Sequence, residues 1–163
     1  MIVVADSSSI VALSLCNCLN ILEVLFGEVK VSKSVFEEVT VAGKPGSDDL
    51  RKFLEGKSIA PNMVEFTIEG GSLDYGELSS IALYKQLNAD YLLIDEKAGR
   101  RVAKLNNIKI IGSLGVLVQA KKKRLLPSIK LQIETLASSK IYFSSALLKE
   151  ALKIADEDQD SVN

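Results

Sequence analysis

The chain opens on an unbroken apolar run, Ile2-Val3-Val4-Ala5, short and β-branched, which reads as a strand buried on both faces. Apolar positions then take helical spacing over 8–18. Residues 20–26 read as a second short helix closed by Gly27, and Val29 to Val31 as a strand. Ser34 and Glu37 stand at capping-box spacing for a helix over 34–41. Gly43-Lys44-Pro45-Gly46 is a turn. A polar helix over 47–55 carries Leu50, Phe53 and Leu54 on one face and ends at Gly56. Residues 58–68 read as one or two short strands around Pro61, and Gly70-Gly71-Ser72 as a flexible joint. A helix over 73–87 and a strand over 91–94 follow. Then come a helix over 96–106, a strand over 108–111 and a helix over 114–123. A helix from Pro127 to 138 and a last one over 144–155 complete the pattern. Strands alternating with helices predict an α/β fold, its mainly parallel sheet covered on both faces.

A length of 163 residues suits one domain with a short appendage. The net charge of −1 gives no global basic signal, but its distribution is uneven. Nine Lys or Arg and no acid lie between Lys97 and Arg124, while Asp156 to Asp160 is an acidic tail. There is no histidine, which excludes Ser-His-Asp and Cys-His catalysis and His-ligated zinc. Cys16 and Cys18 are two apart in an apolar helical stretch and read as reduced, packed thiols of a cytoplasmic protein. No apolar run reaches the roughly 18 residues of a membrane span, and no signal peptide is read at the N-terminus.

Against that background the acids carry the information. Asp6 and Asp95 each follow a buried-strand run and precede a helix. In an open parallel sheet such positions lie at the carboxyl ends of strands, where ligands bind. Each also suits a helix N-cap, which occupies only one carboxylate oxygen. Glu37 is the better partner for a Ser34 cap, leaving Glu38 turned about 100° away, toward a cleft or toward solvent. Asp74 and Glu77 are three apart. Either Asp74 caps the helix and Glu77 completes a box, or Ser72 caps it and Glu77 is free; Gly76 between them favours the second. Asp6, Glu38, Glu77 and Asp95, gathered together, call for a hard divalent cation, Mg²⁺ or Mn²⁺.

The segments Val3 to Ser8, Val35 to Val39, Leu73 to Glu77 with Ile81-Ala82-Leu83, Leu92 to Glu96, Arg100 to Ala103 and Gly112 to Leu117 together resemble the PIN-domain ribonucleases. The resemblance is to the toxin-like branch related to the VapC toxins, and it runs from Met1 to about Arg124. It implies a three-layer α/β/α sandwich over 1–125, with a C-terminal helical extension over 126–163 packed on it or on a partner. It also implies a metal-dependent endoribonuclease acting on single-stranded RNA, or on structured RNA, through Asp6, Glu38, Glu77 and Asp95. The ion would activate a water for in-line attack and neutralise charge on the phosphoryl oxygens. A cognate antitoxin and a homodimer are the implied partners. Ser9 stands where relatives often have proline, and Glu77 where many have aspartate. Glu96 or Ser113 would complete the cluster. Ser7, Arg100, Arg101, Lys104 and Ser113 are the candidate substrate contacts, Lys121 to Arg124 suiting a helix C-terminus equally well. Aromatic content is 6% with no tryptophan, so base selectivity is not legible. A silent PIN-like RNA-binding or oligomerisation module and a DNA nuclease are the competing readings. A haloacid-dehalogenase phosphatase is disfavoured, because residue 8 is serine rather than aspartate.

Overall fold

In the computed structural model, which describes residues 1–65 and 67–158, the chain forms a parallel sheet. Its strands are β1 (Ile2–Ala5), β2 (Glu28–Ser32), β3 (Ser58–Ile59), β4 (Tyr91–Leu93) and β5 (Ile110–Ile111), in the order β3-β2-β1-β4-β5. The helices are α1 (Ser7–Leu15), α2 (Leu19–Phe26), α3 (Lys33–Val39), α4 (Ser47–Leu54) and α5 (Tyr75–Leu87). They continue with α6 (Lys97–Leu105), α7 (Ser113–Lys122), α8 (Lys130–Ala137) and α9 (Ser145–Ile154). The α/β architecture expected from the alternation is therefore present. Phe66, inside the expected strand region, and Asp160 of the acidic tail lie outside the described residues.

The period of two along a strand divides the core. Val3 and Ala5 of β1 point to one side, joining Val29, Val31 and Leu93 in a cluster with Ile10, Leu22, Leu50 and Leu117 from the helices. Val4 points to the other, meeting Leu92 and Ile94 with Ile81, Leu83 and Val102 of α5 and α6. Helices thus cover both faces of the sheet. The larger cluster also takes in Ile129, Ile133, Leu136, Leu148 and Ala151, so α8 and α9 pack on the domain itself. No single helix among the described residues is long and apolar enough to cross a membrane. The pair α1 and α2, which are bent by 113°, buries Ile10, Leu13 and Leu22 inside the protein.

Three helix starts differ from the sequence expectation, α8 beginning at Lys130 rather than at Pro127. The cap of α3 is Ser32, whose hydroxyl accepts from the Val35 amide. Ser34 lies inside the helix and shares its hydroxyl with Ser79 of α5. The competing signal was one serine two residues earlier, at the strand end. Asp74, not Ser72, caps α5: it accepts from the Glu77 amide, and Glu77 accepts from the Asp74 amide, a complete capping box. Glu77 is therefore engaged through Oε2 rather than wholly free.

Candidate functional site

The strand order reverses direction beside β1: β2 and β3 extend the sheet one way, and the chain then returns to place β4 on the other side. Ligands of open parallel sheets bind at such a switch point, beyond the carboxyl ends of the strands. Asp6 sits there, its amide bonded to the Leu93 carbonyl at 2.9 Å. Ser9, fully buried, donates its hydroxyl to the same carbonyl at 2.9 Å, fastening α1 across the ends of β1 and β4. A proline at that position could make no such bond, so Ser9 does more than admit the helix.

A cleft of about 410 Å³ opens at this point. Five acids line it: Asp6, Glu38, Asp74, Glu77 and Glu96. Asp6 is 4% exposed and Glu77 7%, so these two are recessed, whereas Glu38, Asp74 and Glu96 are exposed at the rim. The Asp6 carboxylate does not cap α1; it accepts from the Ser80 hydroxyl of α5 at 3.3 Å. Burial pushes its pKa from the ordinary 3.8 up to about 7. The charges of Glu77 and Asp74 add to the rise, while the Ser7 amide and the Ser80 hydroxyl work against it. Glu38 projects from the last turn of α3 and accepts from the Ser7 hydroxyl at 2.7 Å. Its carboxylate is near Gly76, where an added Cβ would lie 3.6 Å from Glu38 Oε2 and 3.3 Å from Asp74 Oδ1. The glycine in this helix start thus coincides with a close approach of two carboxylates.

Glu77 holds Asp74 through Oε2, and its Oε1 is buried with no hydrogen-bond partner. Burial raises its pKa, and the Asp74 and Glu96 charges reinforce the rise against the Asp74 amide. Gly99 of α6 makes room for that oxygen: a Cβ there would stand 3.0 Å from Glu77 Oε1 and 2.4 Å from Ile94 Cδ1. Gly99→Ala is therefore expected to cost about 1–3 kcal/mol by overpacking. Urea unfolding would measure it, and an unchanged midpoint would show that the two helices can separate freely.

Asp95 is placed differently. It is absent from the cleft lining, its oxygens accepting from the Ser113 amide at 2.8 Å and hydroxyl at 2.7 Å. It thereby occupies the start of α7 rather than of the helix that follows it in sequence. Burial raises its pKa, against the Ser113 bonds and the Arg100 charge. Arg100 donates to the Ile94 carbonyl at 2.8 Å, and Gly112 leaves room for both groups. Ser113 and Arg100 are thus committed to Asp95 and its strand end. Neither they nor Arg101 and Lys104 line the cleft; Ser7 does. Of the two candidates for completing the cluster, Glu96 is in the cleft and Ser113 is on Asp95. Lys44, Pro45 and Ile141 also line the cleft and were not signalled by the sequence, because a turn and an interhelix link bring them in through tertiary packing.

A family model described as a PIN domain, the DUF3368 family, matches residues 2–157. The chain belongs to the PIN-domain family. No curated protein and no solved structure matches it. PIN domains are in general nucleases that use divalent metals. The side chains of this PIN domain fit such an ion in chemistry: the acids offer oxygen donors only, and Glu77 Oε1 is buried and unpartnered. Among the described residues no group of three or more acids is yet close enough to hold one ion.

Proposed function

We propose that this PIN domain is a metal-dependent endoribonuclease that cleaves single-stranded RNA, with Asp6, Glu38, Glu77 and Asp95 as its acidic residues. The observation that carries the reading is the cleft at the sheet's switch point, which five acids line, Asp6 and Glu77 among them buried, and where burial holds the Asp6 proton to about neutral pH. Such a concentration of like charge is tolerable when a dication neutralises it. Asp6, Glu38 and Glu77, with Glu96 beside them, are the residues that would hold Mg²⁺ or Mn²⁺. Asp95 supports the site from the neighbouring strand end and orients Ser113. When bound there, such an ion would supply activation of the attacking water and neutralisation of charge on the phosphoryl oxygens. The chain's own part is to fix the acids: Ser7 orients Glu38, Ser80 orients Asp6, and Asp74 orients Glu77.

The test is cleavage of single-stranded RNA with Mg²⁺ or Mn²⁺. Glu38→Gln is expected to lower the rate about tenfold or more, the order of effect of weakening a metal's ligand shell. Full retention of metal-dependent cleavage in Glu38→Gln and Asp95→Asn would overturn the assignment. One observation favours a second reading, a silent RNA-binding module: Asp95 is bonded to Ser113 and no three acids converge. Metal-binding calorimetry beside the same assay separates the two. In the active reading the chain is the toxin of a toxin–antitoxin pair, restrained by a cognate antitoxin and working as a homodimer. Co-purification with a neighbouring gene's product and size measurement in solution test those partners.

A further inference from the structure

The lining of the cleft has a second chemistry that phosphodiester hydrolysis does not require. Beside the acids stand Val11, Val39, Pro45 and Ile141, drawn from α1, α3, the turn before α4 and the link between α8 and α9. Ile141 belongs to the C-terminal helical pair, yet it reaches the cleft that Asp6 lines. The link alternates: Ile141 and Phe143 pack toward the large core cluster, while Tyr142 between them is 88% exposed. Tyr75, the residue after Asp74, is 63% exposed. An exposed ring therefore follows directly on a cleft-lining residue at two separate points. Lys44 is the cation in the lining, and it donates to the Glu38 carbonyl at 3.2 Å.

We propose that the α8–α9 link is a substrate-recognition element, in which Ile141 completes an apolar wall that receives one unpaired nucleobase and Tyr142 stacks on the next. The inference rests on the nuclease reading above and states how that site takes its strand. A phosphate has no use for aliphatic surface, whereas a base has two apolar faces. A site of about 410 Å³ is at the small end for ligand pockets and has room for one nucleotide unit. Stacking on a ring tolerates any base, because every base has a π-face. Lys44 would meet the phosphate on the apolar side, where it contributes a point charge rather than a planar fork. The C-terminal helices are thereby part of the site and not an appendage to it.

The experiment compares a single-stranded RNA with an abasic strand of the same length, in Mn²⁺, for the wild type, Tyr142→Ala and Ile141→Ser. Tyr142→Ala is the safer variant for folding, since its ring is exposed; thermal melts check Ile141→Ser. Both variants are expected to raise KM for RNA about five- to twentyfold with kcat within about twofold, the scale of one lost base contact. Both are expected to cleave the abasic strand at the wild-type rate. An unchanged KM for RNA in Tyr142→Ala and in a folded Ile141→Ser overturns the proposal, as does an equal loss on the abasic strand. Should the wild type cleave neither strand, the nuclease reading fails on its own. RNA binding by fluorescence anisotropy then decides the wall: weaker binding in both variants upholds it and unchanged binding removes it.

Discussion

Asp6→Asn is expected to abolish function and stabilise the protein at once. Cleavage should fall about a hundredfold to a thousandfold, the range seen when one charge-stabilising group is removed from a reaction centre. Stability should move the other way. In the fold the Asp6 pKa is raised from 3.8 to about 7, so the native state holds this proton more tightly than the unfolded chain. Below pH 4 both states are protonated and Asp6 has no effect on the balance. As pH rises from there the unfolded chain ionises first, and the metal-free fold loses stability until the pH passes about 7. At 1.36 kcal/mol per unit the loss is on the order of 4 kcal/mol. Asparagine does not titrate and can still accept from Ser80. Urea unfolding in chelator should therefore show the variant ahead of the wild type at pH 8 and level with it near pH 4. On the proposed function, excess Mn²⁺ should reverse the order at pH 8, because an ion held by Asp6 would stabilise only the wild-type fold. A variant less stable than the wild type at pH 8 in chelator would mean that the Asp6 charge is already compensated.

Glu157→Ala should have the largest structural effect away from the cleft. Glu157 lies just beyond α9, and its side chain is 8% exposed. It accepts from the Ser128 hydroxyl and the Ile129 amide and pairs with Lys121 of α7 at 3.4 Å. Burial would raise its pKa, but these bonds outweigh it and hold the group below the ordinary 4.5. Removing the carboxylate leaves the buried Ile129 amide without its acceptor and takes from Lys121 its acid partner, though Lys121 keeps the Pro127 carbonyl, a loss worth about 2–4 kcal/mol. For a chain of this size that is a melting temperature lower by about 5–15 °C. The sign with pH is opposite to that of Asp6. The contribution of Glu157 is complete above pH 4.5 and disappears as pH falls through its depressed value. The gap between wild type and Glu157→Ala should therefore narrow in acid. A constant gap would point to packing rather than charge.

The two acids show where sequence reasoning reaches and where it stops. Asp6 was legible because a β-branched run ends at it, and a parallel sheet turns that local fact into a position at the ligand-binding edge. Glu38 was turned away from Glu37, toward a cleft or toward solvent, by an argument whose premise was off by one serine. Ser32 rather than Ser34 caps α3, but a helix of 100° per residue still separates Glu38 from Glu37, which faces Lys33 at 3.9 Å. Asp95 shows the limit. Its neighbours in sequence suggested a cap for the helix that follows, yet its partner is Ser113, eighteen residues on. Only the pairing of β4 with β5 brings that amide within reach. The basic helix face was legible as a pattern but not as a role, since Arg100 turns inward to the Ile94 carbonyl. Ile141 and Glu157 were beyond reach for the same reason: nothing local marks a link residue as a wall or a tail residue as a latch.

The strand that ends just before Asp6 is the central one of the sheet, with β2 on one flank and β4 on the other. On the ribosome it emerges with no neighbour on its β4 side until residue 91 has been synthesised. Through that interval the nascent chain presents an unpaired edge, Val3 to Ala5, to chaperones and to other nascent copies. A stalled or truncated product ending before Tyr91 would keep that edge open and leave Asp6 without its hydrogen bond to the Leu93 carbonyl. Half-made copies should thus be insoluble and lack a finished acidic cleft, so that the site exists only in the completed fold.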